Sequence, residues 1–286
     1  MSTFIAAAIQ MRSTTRITEN IEAMESLVRE AAALGATYVQ TPEMTGALMR
    51  DREALKASLR DEDADPVTNA AARLARELAI HVHLGSTAID AGDGRIANRG
   101  FVFAPDGTRL ARYDKIHMFD VDLDGGESWR ESATYQPGET ARLVDIGAAR
   151  LGMSICYDVR FPHLYRDLAV AGAAVLTAPA AFTRQTGEAH WHVLQRARAI
   201  ENGAFMISAA QGGRHEDGRE TYGHSLIVDP WGRVLAEADG DEPGIVVAEI
   251  DPAESAAARA RIPNLKNRRA YEIDDGAVEA RRERVA

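Results

Sequence analysis

Leu151-Gly152-Met153-Ser154-Ile155-Cys156-Tyr157-Asp158-Val159-Arg160-Phe161-Pro162 sits at the middle of the chain and sets its reading. Leu151 to Ile155 is a short apolar run with strand character, and the single cysteine of the protein stands at its end. Phe161 to Ala171 then carries helical spacing, Ala174 to Thr177 is strand-like again, and Glu188 to Glu201 is helical. A β-α-β-α run of this kind builds a largely parallel sheet with helices on its face.

The same alternation appears on the amino-terminal side. Phe4 to Ile9 reads as a strand, and Ile17, Ile21, Met24, Leu27, Val28 and Ala31 share one helical face that stops at Gly35. A strand from Thr37 to Thr41 ends at Pro42, a helix follows from about Pro66 to Ile80, and His81 to Ile89 is β-rich. Gly100 to Ala104 and Thr108 to Tyr113 flank Pro105-Asp106-Gly107, a hairpin signature. From His117 to Gly138 the chain is acidic and without period, and a loop that long in a compact domain tends to cover a site. On the carboxyl side, Leu226 to Asp229 turns at Pro230-Trp231-Gly232 into Val234 to Glu237.

With 286 residues, 45% hydrophobic and 27% charged, the chain can bury a core without staples. No linker divides it, so we expect one α/β domain over 1–286, with a basic tail from about residue 252 (Arg259, Arg261, Lys266, Arg268, Arg269) serving as a solvated or subunit-contacting arm. A net charge of −10 disfavours nucleic acid and anionic membranes as partners. The first residues lack the cationic start and apolar length of a signal peptide, and the run from Leu168 to Phe182, broken by Gly172, Thr177 and Pro179, is too short to span a bilayer. The expected location is the cytoplasm.

Several motifs fail on context. Gly92-Asp93-Gly94-Arg95-Ile96-Ala97 fits a dinucleotide pattern, but β-rich sequence follows where a helix is needed, so we read a turn and expect no cofactor. His81 with His83, and His190 with His192, lack an evident third ligand, so no metal site is expected. The nucleophile elbow Gly-x-Ser-x-Gly is absent, because Gly152-Met153-Ser154-Ile155-Cys156 and Gly223-His224-Ser225-Leu226-Ile227 both fail at the last position.

Three residues share a better context: Glu43, Lys115 and Cys156 each follow a strand, and carboxyl ends of strands in α/β sheets gather on one edge. A thiol with a reference pKa of about 8.5 needs a base, which Glu43 could be. Lys115 could stabilise the oxyanion formed when sulfur attacks a carbonyl or nitrile carbon. The ordinary alternatives are a buried cysteine used as a small hydrophobe, a solvated lysine and a turn glutamate, and sequence spacing alone leaves them open.

At these residues the sequence resembles the nitrilase superfamily of carbon-nitrogen hydrolases, in the branch of omega-amidases and deaminated-glutathione amidases. The resemblance rests on Thr41-Pro42-Glu43-Met44, on Arg112 to Asp120 around Lys115, and on Gly152 to Pro162 around Cys156. It continues through Ala181-Phe182, Thr186-Gly187, Ala189-His190-Trp191, Arg196 to Asn202, Tyr222-Gly223-His224-Ser225 and Asp229-Pro230-Trp231-Gly232. It implies a four-layer α-β-β-α sandwich, commonly paired as a homodimer or multiples of one. It further implies Glu43 as general base, Lys115 as oxyanion-stabilising lysine, Cys156 as nucleophile, Glu131 as the second glutamate beside the lysine, and the Tyr157 backbone N–H as oxyanion donor.

The function implied is hydrolysis of the terminal amide of a small dicarboxylic-acid monoamide, with amide and water as the only small-molecule partners. A nitrile or N-carbamoyl hydrolase, and a non-catalytic binding protein on the same fold, are the alternatives. A substrate with a remote carboxylate calls for a local guanidinium, and Arg160 and Arg184 are the candidates, beside Phe182, Thr183 and Tyr222 as substrate-binding residues. The loop Asp122 to Glu127 is more acidic and glycine-rich than usual in this branch, while Gln211 to His215 is of the deaminated-glutathione type and His117 to Asp120 of the omega-amidase type.

Overall fold

The computed structural model describes residues 2–92, 94–126 and 128–273; Met1, Asp93 of the glycine turn, Glu127 of the acidic loop and 274–286 of the basic tail lie outside the described residues. In chain order the first half comprises β1 (Phe4–Gln10), α1 (Ile17–Ala33), β2 (Tyr38–Gln40), α2 (Arg52–Ser58), α3 (Pro66–Leu78), β3 (His81–Gly92), β4 (Arg95–Phe103), β5 (Arg109–Asp114), β6 (Asp120–Asp122) and β7 (Ser128–Arg130). The second half comprises β8 (Arg142–Asp145), β9 (Arg150–Met153), α4 (Pro162–Val170), β10 (Val175–Thr177), α5 (Arg184–Asn202), β11 (Phe205–Ser208), β12 (Gly212–Arg214), β13 (Glu220–Tyr222), β14 (Leu226–Val228), β15 (Val234–Glu237), β16 (Gly244–Ile250) and α6 (Pro252–Arg261).

Two six-stranded sheets, ordered β16-β1-β2-β3-β4-β5 and β15-β14-β11-β10-β9-β8, pack face to face. Strand alternation sorts the side chains: Ala6, Ala8, Tyr38 and Val102 point into the layer between the sheets. Ala7, Ile9, Val39, Val82 and Phe101 point the other way, onto Met24, Val28, Ala71 and Leu74 of α1 and α3. Leu164 and Leu168 of α4 and Trp191 of α5 cover the second sheet. The result is the expected α-β-β-α sandwich.

Helix ends follow local chemistry. Asp65 caps α3 through its carboxylate on the Thr68 N–H (2.8 Å), ahead of Pro66. Helix α5 starts at Arg184, earlier than its spacing suggests, because Thr183 caps it while Gly187, a poor helix former, masks its first turn in the sequence. The expected turn at Gly92 is a hairpin in which Gly92 pairs with Arg95. The long acidic loop holds the small β6–β7 hairpin, and α2, which the sequence reading left unassigned, is a seven-residue helix capped by Asp51. The first ten residues of the basic tail are α6, held by its own chain: Ser255 Oγ donates to the Gly203 carbonyl, and Arg259 donates to the carbonyls of Asn202 and Ala173.

Topology brings the strand ends together. β1, β2 and β3 run parallel, and β4 reverses and β5 reverses again, so β5 ends on the same edge as β2. β9, β10 and β11 are mutually parallel, and Gln40 at the end of β2 accepts from the Ala209 N–H just past β11 at 2.8 Å. Both sheets therefore end at one edge.

Candidate active site

Glu43, Lys115 and Cys156 leave that edge within a few residues of β2, β5 and β9 and converge on one cavity of about 260 Å³, with Glu131 joining them. Lys115, 2% exposed, donates to Glu43 Oε1 at 2.8 Å and to Glu131 at 2.8 and 3.0 Å. Asn98 donates to the same Glu43 oxygen at 2.9 Å and to Glu131 at 3.2 Å. The second Glu43 oxygen accepts from the Ala181 N–H at 2.9 Å, and Glu131 Oε2 from the Phe119 N–H at 2.7 Å.

The backbone is bent to make this possible. Cys156 adopts φ +49° and Met44 φ +55°, left-handed conformations that cost side-chain-bearing residues on the order of 1–3 kcal/mol each. The Cys156 N–H bonds the Pro179 carbonyl at 2.9 Å, and the Met44 N–H bonds Ser86 Oγ at 2.9 Å. Asp158 secures the turn: fully buried, it accepts from the N–H groups of Ile155 and His117 and from the Tyr113 hydroxyl, and its Oδ1 lies 2.7 Å from His117 Nδ1. Gly85 lets the Glu43 loop cross β3, since a Cβ there would lie 2.1 Å from the Thr41 carbonyl oxygen.

Protonation states follow from these contacts. Burial alone would raise the Glu43 carboxyl, but the charge and hydrogen bond of Lys115, with hydrogen bonds from Cys156 and Asn98, hold it below the usual carboxylate range. Burial likewise opposes the Lys115 ammonium, yet Glu131, Glu43 and Cys156 push its pKa well up. Burial first, and then the Glu43 charge, push the Cys156 thiol well up. The resting arrangement is therefore a thiol beside a carboxylate and an ammonium. The thiol has an adjacent acceptor for its proton, and an oxyanion on carbon bound to sulfur would meet Lys115. Tyr157 lies in the first turn of a 3-10 helix (Cys156–Arg160), where an N–H has no intrahelical acceptor.

Of the remaining expected substrate-binding residues, Phe182 and Thr183 line the cavity. Three others do not. Arg160 stands outside the lining, with its guanidinium over the rings of Tyr157 and Phe182 and Nη1 3.2 Å from His190 Nδ1, because the 3-10 turn after Cys156 sends its side chain toward α5. Arg184, in the first turn of α5 rather than in a loop, faces Glu188, Glu220 and Asp241 in an outer depression. Tyr222 packs on Gly187 and stacks on His224, away from the cavity.

Sequence reasoning assigned no role to Asn98, Asp158, Trp129 and Arg219, although Cys156-Tyr157-Asp158 and Trp129-Arg130-Glu131 lay within the motifs. The signal for Asn98 is a polar side chain, 2% exposed, in the otherwise buried strand β4. The histidine reading changes too: His192 and His224 both meet Glu237 Oε1, at 2.7 and 2.8 Å, a trio that could hold a metal ion but lies outside the cavity lining. His83 is buried against the Tyr38 hydroxyl at 2.7 Å, and burial lowers its pKa to about 3.

The carbon-nitrogen hydrolase family pattern matches residues 5–260. The chain is 41% identical over 276 residues to the deaminated glutathione amidase of Synechocystis, covering 94% of this chain and 99% of that one. It is 36% identical to the human omega-amidase NIT2, over 94% and 96% of the two chains. Among solved structures, yeast Nit3, described as a member of branch 10 of the nitrilase superfamily, superposes with a TM-score of 0.83 at 27% identity, over 94% of this chain and 97% of that one.

Proposed function

The chain belongs to the carbon-nitrogen hydrolase family, and from that premise we propose an amidase that cleaves the terminal amide of a small dicarboxylic-acid monoamide, of the omega-amide keto acid or deaminated-glutathione type, to acid and ammonia. One observation carries the reading: a buried thiol shares its pocket with a carboxylate and an ammonium that hydrogen-bond each other at 2.8 Å. A protein that only bound ligands would have no use for burying these three together.

In this mechanism Cys156 sulfur attacks the amide carbon while Glu43 takes the thiol proton. Lys115 Nζ and the Tyr157 N–H hold the oxyanion. Collapse breaks the C–N bond as Glu43 returns the proton to nitrogen, and ammonia leaves a thioester. Water then attacks the thioester carbon, giving a proton to Glu43, and the acid departs as sulfur recovers that proton. Glu131 keeps the ammonium charged and aimed.

Ammonia release from a panel of omega-amide acids, aliphatic nitriles and ureido acids tests the substrate class. Turnover confined to the amides supports it, and turnover confined to nitriles or ureido acids overturns it. We also propose a cytoplasmic homodimer. The exposed apolar residues Val170 on α4 and Val193 on α5 support a subunit contact on that outer layer, with Tyr271 and Ile273 beyond α6 as a further contact. Among the described residues, no helix is long and apolar enough to cross a membrane. A monomer in sedimentation velocity would refute the dimer.

A further inference from the structure

The sequence offers no evident third ligand for His190 and His192, but the fold supplies two partners for His192 from distant parts of the chain. His192 on α5, His224 ahead of β14 and Glu237 at the end of β15 each bring one ligand atom to a point where all three lie within 4.8 Å of one another. His192 Nε2 and His224 Nδ1 meet the same Glu237 oxygen, Oε1, at 2.7 and 2.8 Å. An ordinary surface ion pair needs one histidine per carboxylate. Here two ring nitrogens and an oxygen aim at one place, and two neutral imidazoles with a carboxylate are a donor set that zinc takes as three protein ligands, with water in the fourth tetrahedral position.

The ligands are held in place by contacts of their own. His224 is left-handed (φ +55°), its N–H donates to the Gly240 carbonyl at 3.1 Å, and its carbonyl accepts from Trp191 Nε1 at 2.8 Å. Its ring stacks on Tyr222 with centroids 4.3 Å apart, and the His192 ring stands edge-on to both, at 5.4 Å from His224 and 5.9 Å from Tyr222. Tetrahedral bonds of 2.0–2.1 Å spread donor atoms about 3.4 Å apart, so each histidine-to-carboxylate contact needs to open by only about 0.6 Å. On coordination each neutral ring carries its proton on the nitrogen turned away, and the lone pair now facing Glu237 binds the ion. The three side chains are between 25% and 33% exposed, which gives an ion entry and a water ligand.

None of the three residues lines the cavity that holds Cys156, so an ion here takes no part in amide chemistry. It would instead brace a wall of that cavity, because Trp191, next to His192 on α5, packs on the cavity residue Phe182 with centroids 4.9 Å apart. We propose that His192, His224 and Glu237 form a structural site for a divalent cation of the zinc class, which pins α5 to the edge strand β15 of the second sheet.

The test uses Cys156→Ala protein, without an affinity tag and stripped of metal by EDTA and dialysis, so that the active-site thiol cannot take the ion. Titration with zinc chloride near neutral pH, followed by calorimetry, should show one ion per chain, and the melting temperature should rise with zinc concentration. His192→Gln and Glu237→Gln in the same background should each weaken binding by about 100-fold or more, since losing a ligand costs at least as much as losing a partner that only orients one. Cobalt(II) in place of zinc should give the strong visible absorption of a tetrahedral ion, and both variants should abolish it. No saturable binding, or unchanged affinity in His192→Gln and Glu237→Gln, overturns the site. Zinc bound by the wild type and not by Cys156→Ala assigns the ion to the thiol and overturns it as well.

Discussion

Replacing Asn98 by alanine should slow the enzyme and move its acid limit upward. The Asn98 amide donates both hydrogens to carboxylates, at 2.9 Å to Glu43 and 3.2 Å to Glu131, and its own buried Oδ1 has no partner. Removing the side chain therefore leaves no donor unpaired, and the whole effect passes through the two glutamate acceptors. Hydrogen bonds to charged groups contribute about 1.5–3 kcal/mol each, and water entering the cavity recovers part, leaving a net loss of roughly 2–3 kcal/mol, or about 30- to 150-fold in kcat/KM. The Glu43 carboxyl, held low partly by Asn98, rises in the variant. Its acid limb in kcat/KM then shifts to higher pH, because the base must be ionised to act. Stability moves with it: a carboxyl depressed in the folded state stabilises above its unfolded pKa, and this is lost as pH falls through the folded value, so the variant should unfold at a higher pH in acid titration. Asn98→Asp, which adds a third carboxylate, should fall below Asn98→Ala. Stopped ammonia assays across pH 4–9 read both effects, and Asn98→Ala within threefold of wild type with an unmoved acid limb would refute the reasoning.

Lys115→Ala should cost on the order of 3 kcal/mol or more in transition-state stabilisation, seen in kcat, and a loss confined to KM would make Lys115 a binding residue instead. Asp158→Asn should lower stability by roughly 3 kcal/mol, since a carboxylate accepting the Ile155 and His117 N–H groups becomes an amide with one acceptor, and should slow alkylation of Cys156 by iodoacetamide; a melting temperature within a degree of wild type would contradict this. Gly85→Ala should destabilise by well over the roughly 0.5 kcal/mol of ordinary surface changes and depress kcat, because its Cβ would force back the loop that carries Glu43; full activity at wild-type stability would show that the loop yields freely.

The layered fold was legible in the chain because short apolar runs such as Phe4 to Ile9 alternate with helix-period segments such as Ile17 to Ala31, while the division of that run into Ala7 and Ile9 facing the helices and Ala6 and Ala8 facing the second sheet shows only in the structure. Glu43, Lys115 and Cys156 were legible for a related reason: each follows a strand, and parallel strands end together. Residues that reach the cavity through tertiary placement were not. Arg160 is four positions from Cys156, but the 3-10 turn carries it to His190. Arg219 is sixty-three positions away, yet it reaches the cavity from beside the β12–β13 hairpin. Helix α2 is short and only Leu55 within it is buried, so its sequence carries almost no periodic signal.

The thioester on Cys156 is the claim on which the rest depends. Glu43→Gln enzyme, slowed in its proton transfers, mixed with glutaramic acid, quenched in acid and weighed intact, should gain the mass of the substrate less ammonia, and peptide mapping should place the adduct on Cys156. Wild-type ammonia release that persists in Cys156→Ala, with no adduct on the Glu43→Gln thiol, would contradict the account.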